Sequence, residues 1–392
     1  MPSNEKKKIL FVSHKANMSG APLLLLQIIK AFKKQSDIPF EILLMEDGAL
    51  ANEFRKLATT YVWRKPVIKA TTGIFALPVG LFLRAQQVVN AASILIRLKK
   101  FSTVFFNTIS NGHIHKKLLF LNCRFVSYVH EMDAAIHITT SPQSLQVVLK
   151  NTGLFIACSN AVKNNLVLNH AITPKNIKVF ATSMEVTCRK KEVHANFIRS
   201  FKSTHSIPEK SVIIGVCATN EWSKGFGFFL PLIAIYFSQF ADSNVFFVWK
   251  GFRREALSSF FDLYDKTKST YNNKMLLLPH GNDSIETIAC FDIHLLLARE
   301  DPYPLVVLEA ASFSIPTVCF LNAGGTPEFV EEDSGFCVPY GDLLQTASSL
   351  HQLAVNDGLR EQMGIAAQQK VKARHAQEIA MPAFIELLKD EL

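Results

Sequence analysis

The sequence predicts an α/β protein made of two doubly wound parallel sheets, on three observations. Short continuous apolar runs alternate with longer stretches of helical period, the pattern of parallel strands covered by helices on both faces. The alternation runs through the first half and starts again in the second. The 392 residues fit two such domains of ordinary size. Length alone also allows one large barrel, but the repeated series favours two sheets.

In the first half, strands are expected at Ile9–Ser13, Phe40–Met45, Val104–Asn107, Phe125–His130 and Leu154–Cys158. Helical periods lie between them at Ala21–Lys34, Phe82–Leu98, Ser141–Lys150 and Ala161–Asn169. The second half has strands at Val212–Cys217, Asn244–Trp249, Met275–Leu278, Ile293–Leu297 and Thr317–Phe320. Its helices fall at Gly227–Phe237, Arg254–Lys266, Ser284–Ala289, Leu305–Phe313 and Asp342–Asn356. Thr182–Lys210 is basic and polar, shows no sustained period and ends in Ile207-Pro208-Glu209-Lys210, so it reads as the join. The domains are then 1–190, with the C-terminal helix 376–392 packing back on it, and 205–375.

The formal charge of +9 hides an asymmetry. Residues 1–200 hold 27 basic and 10 acidic side chains, and residues 201–392 hold 15 and 23. No carboxylate stands between Glu53 and Glu131. Such a split points to an anionic partner for the first half. The longest apolar run, Gly73–Leu83, is too short for a bilayer span of about 20 residues. The N-terminal Ile9–Val12 run is too short for a secretory core. The seven cysteines are scattered, form no C-x-x-C pair and read as small core residues in a reducing compartment, without zinc-ligand spacing. The final Lys389-Asp390-Glu391-Leu392 matches an ER-retention signal, but no entry signal accompanies it, and the end of a charged amphipathic helix is the preferred reading. A cytoplasmic protein follows, peripheral on a membrane's cytoplasmic face if the basic half meets lipid.

Ligands of doubly wound sheets bind beyond the carboxyl ends of the strands, so the loops there carry the chemistry. After the first strand, Gly20 permits an unusual backbone angle and Pro22 suits a first helical turn, so the loop holds an anion or hydroxyl, or is an ordinary connection. After Phe125–Val129 stand His130 and Glu131, an acid/base arrangement or a structural histidine. After Val212–Cys217, Lys224 opens a helix, where it suits a diphosphate or is simply solvated. The most informative stretch follows Ile293–Leu297. Pro304 marks a helix start, leaving the N–H groups of Leu305 and Val306 unpaired. Glu309 sits among Val307, Leu308, Ala310 and Ala311 and must find a partner such as a sugar hydroxyl. Asp301 stands eight residues before it. Gly324 and Gly325 then permit close backbone approach. Neither G-x-G-x-x-G nor a Walker motif is present.

Lys224-Gly225, the string REDPYPLVVLEA (299–310), AGGTPEFV (323–330) and SGFCVPYGD (334–342) resemble the retaining glycosyltransferases of family 4. The SGAP loop, Val129-His130-Glu131 and ACSNAVKNNL (157–166) also fit, so the resemblance covers nearly the whole chain. The resemblance implies a GT-B fold, two Rossmann-like doubly wound parallel-sheet domains facing a cleft. It puts the family's E-x7-E motif on Asp301 and Glu309. Glu309 would bind the nucleotide ribose, Asp301 the donor sugar's hydroxyls and Lys224 the diphosphate. Leu305 and Val306 would add backbone contacts, Gly20 would approach the donor and His130 would face the transferring sugar.

Two departures matter. The first motif glutamate is Asp301 with Glu300 before it, so their roles could exchange. The arginine usual five before the lysine is Thr219, leaving that phosphate contact to Arg299 or Lys250, or missing. No D-x-D follows a strand, so no obligatory metal or other cofactor is expected.

The implied chemistry is sugar transfer from a nucleotide diphosphate sugar to a hydroxyl of a glycan or lipid-linked acceptor, with retained configuration, in cell-surface polysaccharide synthesis. An anionic membrane surface is the further partner expected of the basic half, and no nucleic-acid module is present. A nucleotide-sugar epimerase and a non-catalytic sugar-nucleotide binding protein are the competing readings.

Overall fold

The computed structural model describes residues 8–18, 20–64, 92–94, 96–253, 258–271 and 273–392. The apolar run Gly73–Leu83 and most of the helix expected over Phe82–Leu98 lie outside these residues. The chain divides into two compact units, Met1–Ser183 with Gln377–Leu392, and Met184–Ala376.

The first unit is built on seven parallel strands in the order β3-β2-β1-β4-β5-β6-β7. They are β1 (Ile9–Ser13), β2 (Phe40–Glu46), β3 (Thr60–Arg64), β4 (Thr103–Phe106), β5 (Arg124–Val129), β6 (Leu154–Ala157) and β7 (Ile177–Val179). β1, β4 and β6 are buried at every position, which is why they read as unbroken apolar runs. One face carries Leu10, Val12, Leu43, Val104 and Phe106. On the other, Phe11 meets Phe32 of the helix Gly20–Gln35 edge-on at 5.5 Å and Phe105 at 5.2 Å. The C-terminal helix Gln377–Lys389 closes that face: Phe384 packs on Phe105 at 5.8 Å and Phe180 at 4.6 Å. The Gln35 amide donates to the Gln377 carbonyl (3.2 Å) and the Thr103 hydroxyl to the Glu391 carbonyl (2.7 Å).

The second unit holds six parallel strands in the order β10-β9-β8-β11-β12-β13. These are β8 (Val212–Cys217), β9 (Val245–Phe252), β10 (Met275–Pro279), β11 (Ile293–Leu296), β12 (Thr317–Phe320) and β13 (Gly335–Val338). Trp249 and Phe247 are buried on one face against Phe226, Phe229 and Tyr236. Val248 and Phe246 lie on the other with Phe201, Phe291 and Phe313.

Two parallel-sheet α/β units are as the sequence predicts. The strands it misses, β3, β7 and β13, all lie at sheet edges. An edge strand is half solvated and mixes polar with apolar residues, so it lacks the continuous run. β7, for example, buries only Ile177 of its three residues. The segment expected to lack periodicity contains the helix Ala195–Thr204, which sets Phe201 into the second core. Its sequence ANFIRSFKST puts Phe197, Ile198 and Phe201 toward that core, but the pattern lasts only ten residues and is not sustained through the segment.

No helix among the described residues is long and apolar enough to cross a membrane. Phe384 is fully buried. Phe384→Ala is expected to cost about 3–5 kcal/mol by the usual price of a large buried cavity, read by chemical denaturation. A loss below about 1 kcal/mol would mean the terminal helix does not carry the first core.

Candidate functional site

In each sheet the strand order reverses at one place, between β1 and β4 in the first unit and between β8 and β11 in the second. The connections leave to opposite sides there, so a crevice opens beyond the strands' carboxyl ends. The residues singled out by sequence gather at these two places.

In the second unit, the loop after β8 and the loop after β11 are stitched together. The Ser223 carbonyl accepts from the N–H groups of Arg299 (2.7 Å) and Glu300 (3.2 Å). The Lys224 ammonium donates to Asp301 Oδ2 at 2.6 Å. The Asp301 carboxylate is 8% exposed and Lys224 29%, so the pair is largely sheltered but reachable. Lys224 does not open a helix, as the sequence suggested. It ends a 3-10 turn, Trp222–Lys224, and the regular helix starts only at Phe229. The break is made by Gly225 at φ +72°, where an added Cβ would collide with the Leu297 carbonyl.

The glycine pair supports the same place. Asp301 forms a β-bridge with Gly324, the Asp301 N–H donates to the Ala323 carbonyl (2.7 Å), and Gly325 donates back to Asp301 (3.2 Å). Gly324 holds φ +132°, and a Cβ there would strike the Asp301 carbonyl. Only Gly324 needs its freedom; Gly325 takes an ordinary right-handed conformation.

Pro304 precedes the helix Leu305–Ser312, and among the described residues the N–H groups of Leu305 and Val306 make no backbone hydrogen bond. Glu309 is half-buried on this helix. Burial pushes its carboxyl above the usual range, and the Arg189 guanidinium pulls it partly back. Arg189 is anchored by donating to the Ser312 hydroxyl (3.1 Å) and carbonyl (2.7 Å), the latter through its N–H. Sequence reasoning missed Arg189. It lies in the segment read as a join, where one more basic residue carries no signal.

The substitutes for the arginine absent at Thr219 are both engaged. Lys250 is buried and donates to both oxygens of Asp283 (2.7 and 2.8 Å), which holds that carboxyl below its ordinary value. The Arg299 guanidinium lies over the Phe228 ring at 4.0 Å and near Trp222 at 5.3 Å.

In the first unit, His130 and Glu131 follow β5. His130 Nε2 meets Asn107 Oδ1 at 3.2 Å, and its ring sits edge-on to Tyr128 at 3.9 Å. Burial, reinforced by His14, lowers its pKa to about 3, so the ring is neutral at physiological pH. Glu131 turns back to accept from the Thr108 hydroxyl and the N–H groups of His130 (2.9 Å) and Ile109 (3.5 Å), and burial raises its pKa. Gly20 disagrees with its expectation. It is the first residue of the helix Gly20–Gln35, shows no left-handed φ, and a Cβ there meets nothing within 4 Å.

No group of three or more metal-ligating side chains occurs among the described residues.

The Glu309 shift has a sign that can be tested. A carboxyl with a raised folded-state pKa binds its proton more tightly when folded. Its contribution is full below the ordinary glutamate value of 4.5 and is lost as pH rises through the folded value. Glu309→Gln is therefore expected to raise the melting temperature at pH 7.5 relative to wild type, and to leave it nearly unchanged at pH 4. Equal effects at both values would refute the assignment.

The sequence profile of the family described as "Glycosyl transferases group 1" matches residues 198–370. The N-acetyl-alpha-D-glucosaminyl L-malate synthase of Bacillus anthracis is 27% identical over 121 residues, 31% of this chain and 32% of that protein. The capsular polysaccharide biosynthesis glycosyltransferase CapM of Staphylococcus aureus is 20% identical over 226 residues, 57% of this chain and 58% of that one. These matches thus span from about a third to under two thirds of the curated relatives. Among solved structures, Anabaena Alr3699/HepE in complex with UDP and glucose superposes with a TM-score of 0.73 at 18% identity, over 98% of this chain and 99% of that one. TarM superposes with a TM-score of 0.72 at 11% identity, over 99% of each chain. The two parallel-sheet units are those of the GT-B fold, and residues 198–370 match the glycosyl transferases group 1 family.

Proposed function

We propose that the chain is a retaining glycosyltransferase that moves a sugar from a nucleotide diphosphate sugar to a hydroxyl of a glycan or lipid-linked acceptor. The observation that carries this reading is the Lys224–Asp301 pair, set by the Ser223 and Gly324 contacts at the β8/β11 switch point. It offers a cation for phosphate beside a carboxylate for sugar hydroxyls, on rigid backbone. The UDP bound in the Anabaena protein's structure supports a nucleotide donor.

In this reading the diphosphate takes the Lys224 ammonium and the N–H groups of Leu305 and Val306. Glu309 accepts from the ribose hydroxyls, and Asp301, with Glu300 beside it, accepts from the sugar. Thr219 borders the phosphates without a charge. Bond cleavage builds negative charge on the leaving diphosphate. Donors already aimed at it stabilise that charge more than the ground state, which is where the rate comes from. The incoming hydroxyl attacks the anomeric carbon on the face the diphosphate leaves, and the leaving phosphate takes its proton. Configuration is thereby retained, without a carboxylate nucleophile on the enzyme. His130, neutral and held by Asn107, is available as a hydrogen-bonding group rather than as a cation. The chemistry needs no metal ion.

Lys224→Ala is expected to lower kcat at saturating donor by about 2–4 kcal/mol of transition-state stabilisation, roughly 30- to 1000-fold. An unchanged rate would remove Lys224 from this role. EDTA is expected to leave turnover unchanged, and the anomeric proton of the product, read by NMR, to keep the donor's configuration. Binding of the basic half to an anionic surface is tested by flotation with phosphatidylserine-containing vesicles, where salt should release the protein.

A further inference from the structure

The seven cysteines are scattered along the sequence, and the fold brings two of them together. Cys319 lies on β12 and Cys337 on β13, the edge strand of the second sheet. The two strands run parallel with Cys319 directly opposite Cys337. Their side chains therefore leave the same face, and the sulfurs stand 3.7 Å apart. Neighbouring strands lie about 4.8 Å apart, inside the roughly 4.4–6.8 Å between Cα atoms that a disulfide spans. An S–S bond of about 2 Å is reached by turning the side chains with a small approach of the strands. β13 is paired on one side only, so it is the strand that can make the approach.

The two thiols are not alike. Cys319 is 2% exposed, in the core with Val307, Leu308 and Phe329. Cys337 is half-buried, with its sulfur 3.8 Å from the Glu331 carbonyl near the surface. The turn into β13 is clamped by Lys370, whose ammonium donates to the carbonyls of Phe329 (3.1 Å) and Val330 (3.0 Å) and pairs with Glu331 (2.8 Å) and Asp333. The Cys319 thiol donating to it, with Lys370 adding its charge, holds the Cys337 thiol below its ordinary value. The same hydrogen bond, together with burial, pushes the Cys319 thiol up. A thiolate is the nucleophile in disulfide exchange, so the more accessible sulfur is also the more reactive.

A bond between the two closes a ring of chain from 319 to 337. That ring contains Gly324, which bridges Asp301, and the helix Thr326–Val330. Oxidation of the pair is therefore felt in the loop that seats Asp301.

We infer that Cys319 and Cys337 are a reversible dithiol–disulfide pair that exchanges with low-molecular-weight disulfides, Cys337 attacking and Cys319 resolving. The Cys337 thiolate attacks one sulfur of the small disulfide, forming a mixed disulfide and releasing one small thiolate. Cys319 then attacks the Cys337 sulfur and expels the second small thiolate. The two protein thiols give up two electrons and two protons, and one small disulfide becomes two small thiols.

The test uses the full chain, incubated with bis(2-hydroxyethyl) disulfide, blocked at its free thiols and mapped by mass spectrometry. A peptide pair linked through Cys319 and Cys337 is expected, and dithiothreitol should abolish it. Two variants separate the roles. Cys319→Ala should leave Cys337 carrying the small-molecule adduct, and Cys337→Ser should leave Cys319 a free thiol. If circular dichroism shows that Cys319→Ala fails to fold, Cys319→Ser takes its place and should trap the same adduct. Amide exchange over residues 320–336 should slow about threefold or more in the linked wild type, and not in treated Cys337→Ser. The inference is overturned if adducts are confined to the exposed Cys188, if the link forms only in denaturant, or if exchange over 320–336 does not change on linking. None of these measurements uses a donor or an acceptor, so the outcome is independent of the transferase reading.

Discussion

The Ser223 carbonyl is the joint on which the donor side of this molecule depends. One oxygen accepts the N–H groups of two consecutive residues, Arg299 and Glu300. It thereby holds the loop after β8 against the loop after β11. With the pairing of β8 and β11, that bond helps set the separation of Lys224 and Asp301, 77 positions apart in the chain. The glycines serve the joint rather than a ligand directly. Gly225 lets the chain pass under the Leu297 carbonyl, and Gly324 lets the next loop touch Asp301. The constraint is steric first, and the charge pair is its product.

The two units treat their buried carboxyl groups differently. Glu131 is satisfied inside its own loop by the Thr108 hydroxyl and nearby N–H groups, so it shapes the turn after β5. Glu309 makes no such side-chain hydrogen bond among the described residues and depends on the field of Arg189. A carboxylate kept half-buried on an apolar helix with only a distant cation costs stability. That cost is intelligible where a ligand supplies the missing donors, and ribose hydroxyls would do so. Stability given up at a site for function is a common exchange, and here it falls on one residue.

Much of this was legible in the sequence, and the reasons are physical. Central strands such as β1 and β12 are buried on both faces, so their apolar runs stand out. Asp301 and Glu309 were visible because charge amid an apolar helix or beside Pro302 and Pro304 is conspicuous. What stayed hidden depends on distant contacts. Arg189 is one basic residue among several until the fold sets it against Ser312. The edge strands mix polar with apolar residues because only one side of each is paired. Gly20 shows the opposite error, since a glycine before a helix suggests a special angle that the backbone does not use.

The net charge of each half does not describe the surroundings of any one group in it. Within the described part of the first unit, several basic residues are already matched: Lys8 to Glu41, Arg55 to Asp47, Lys56 to Glu53, Arg124 to Glu391, and Lys117 to the Trp63 ring. These ion pairs cancel, so the surplus lies on the other basic residues, and the cavity at the β1/β4 switch point holds carboxylates as well as lysines. The acidic second half, conversely, carries Lys224 beside Asp301 and, at a helix start, the N–H groups of Leu305 and Val306, which the proposed reading assigns to a diphosphate. At physiological ionic strength charges farther apart than about 8 Å are largely screened. Recognition at each site then follows the few groups within that radius, and the opposite overall charges govern approach to a surface or partner rather than the fit of a ligand.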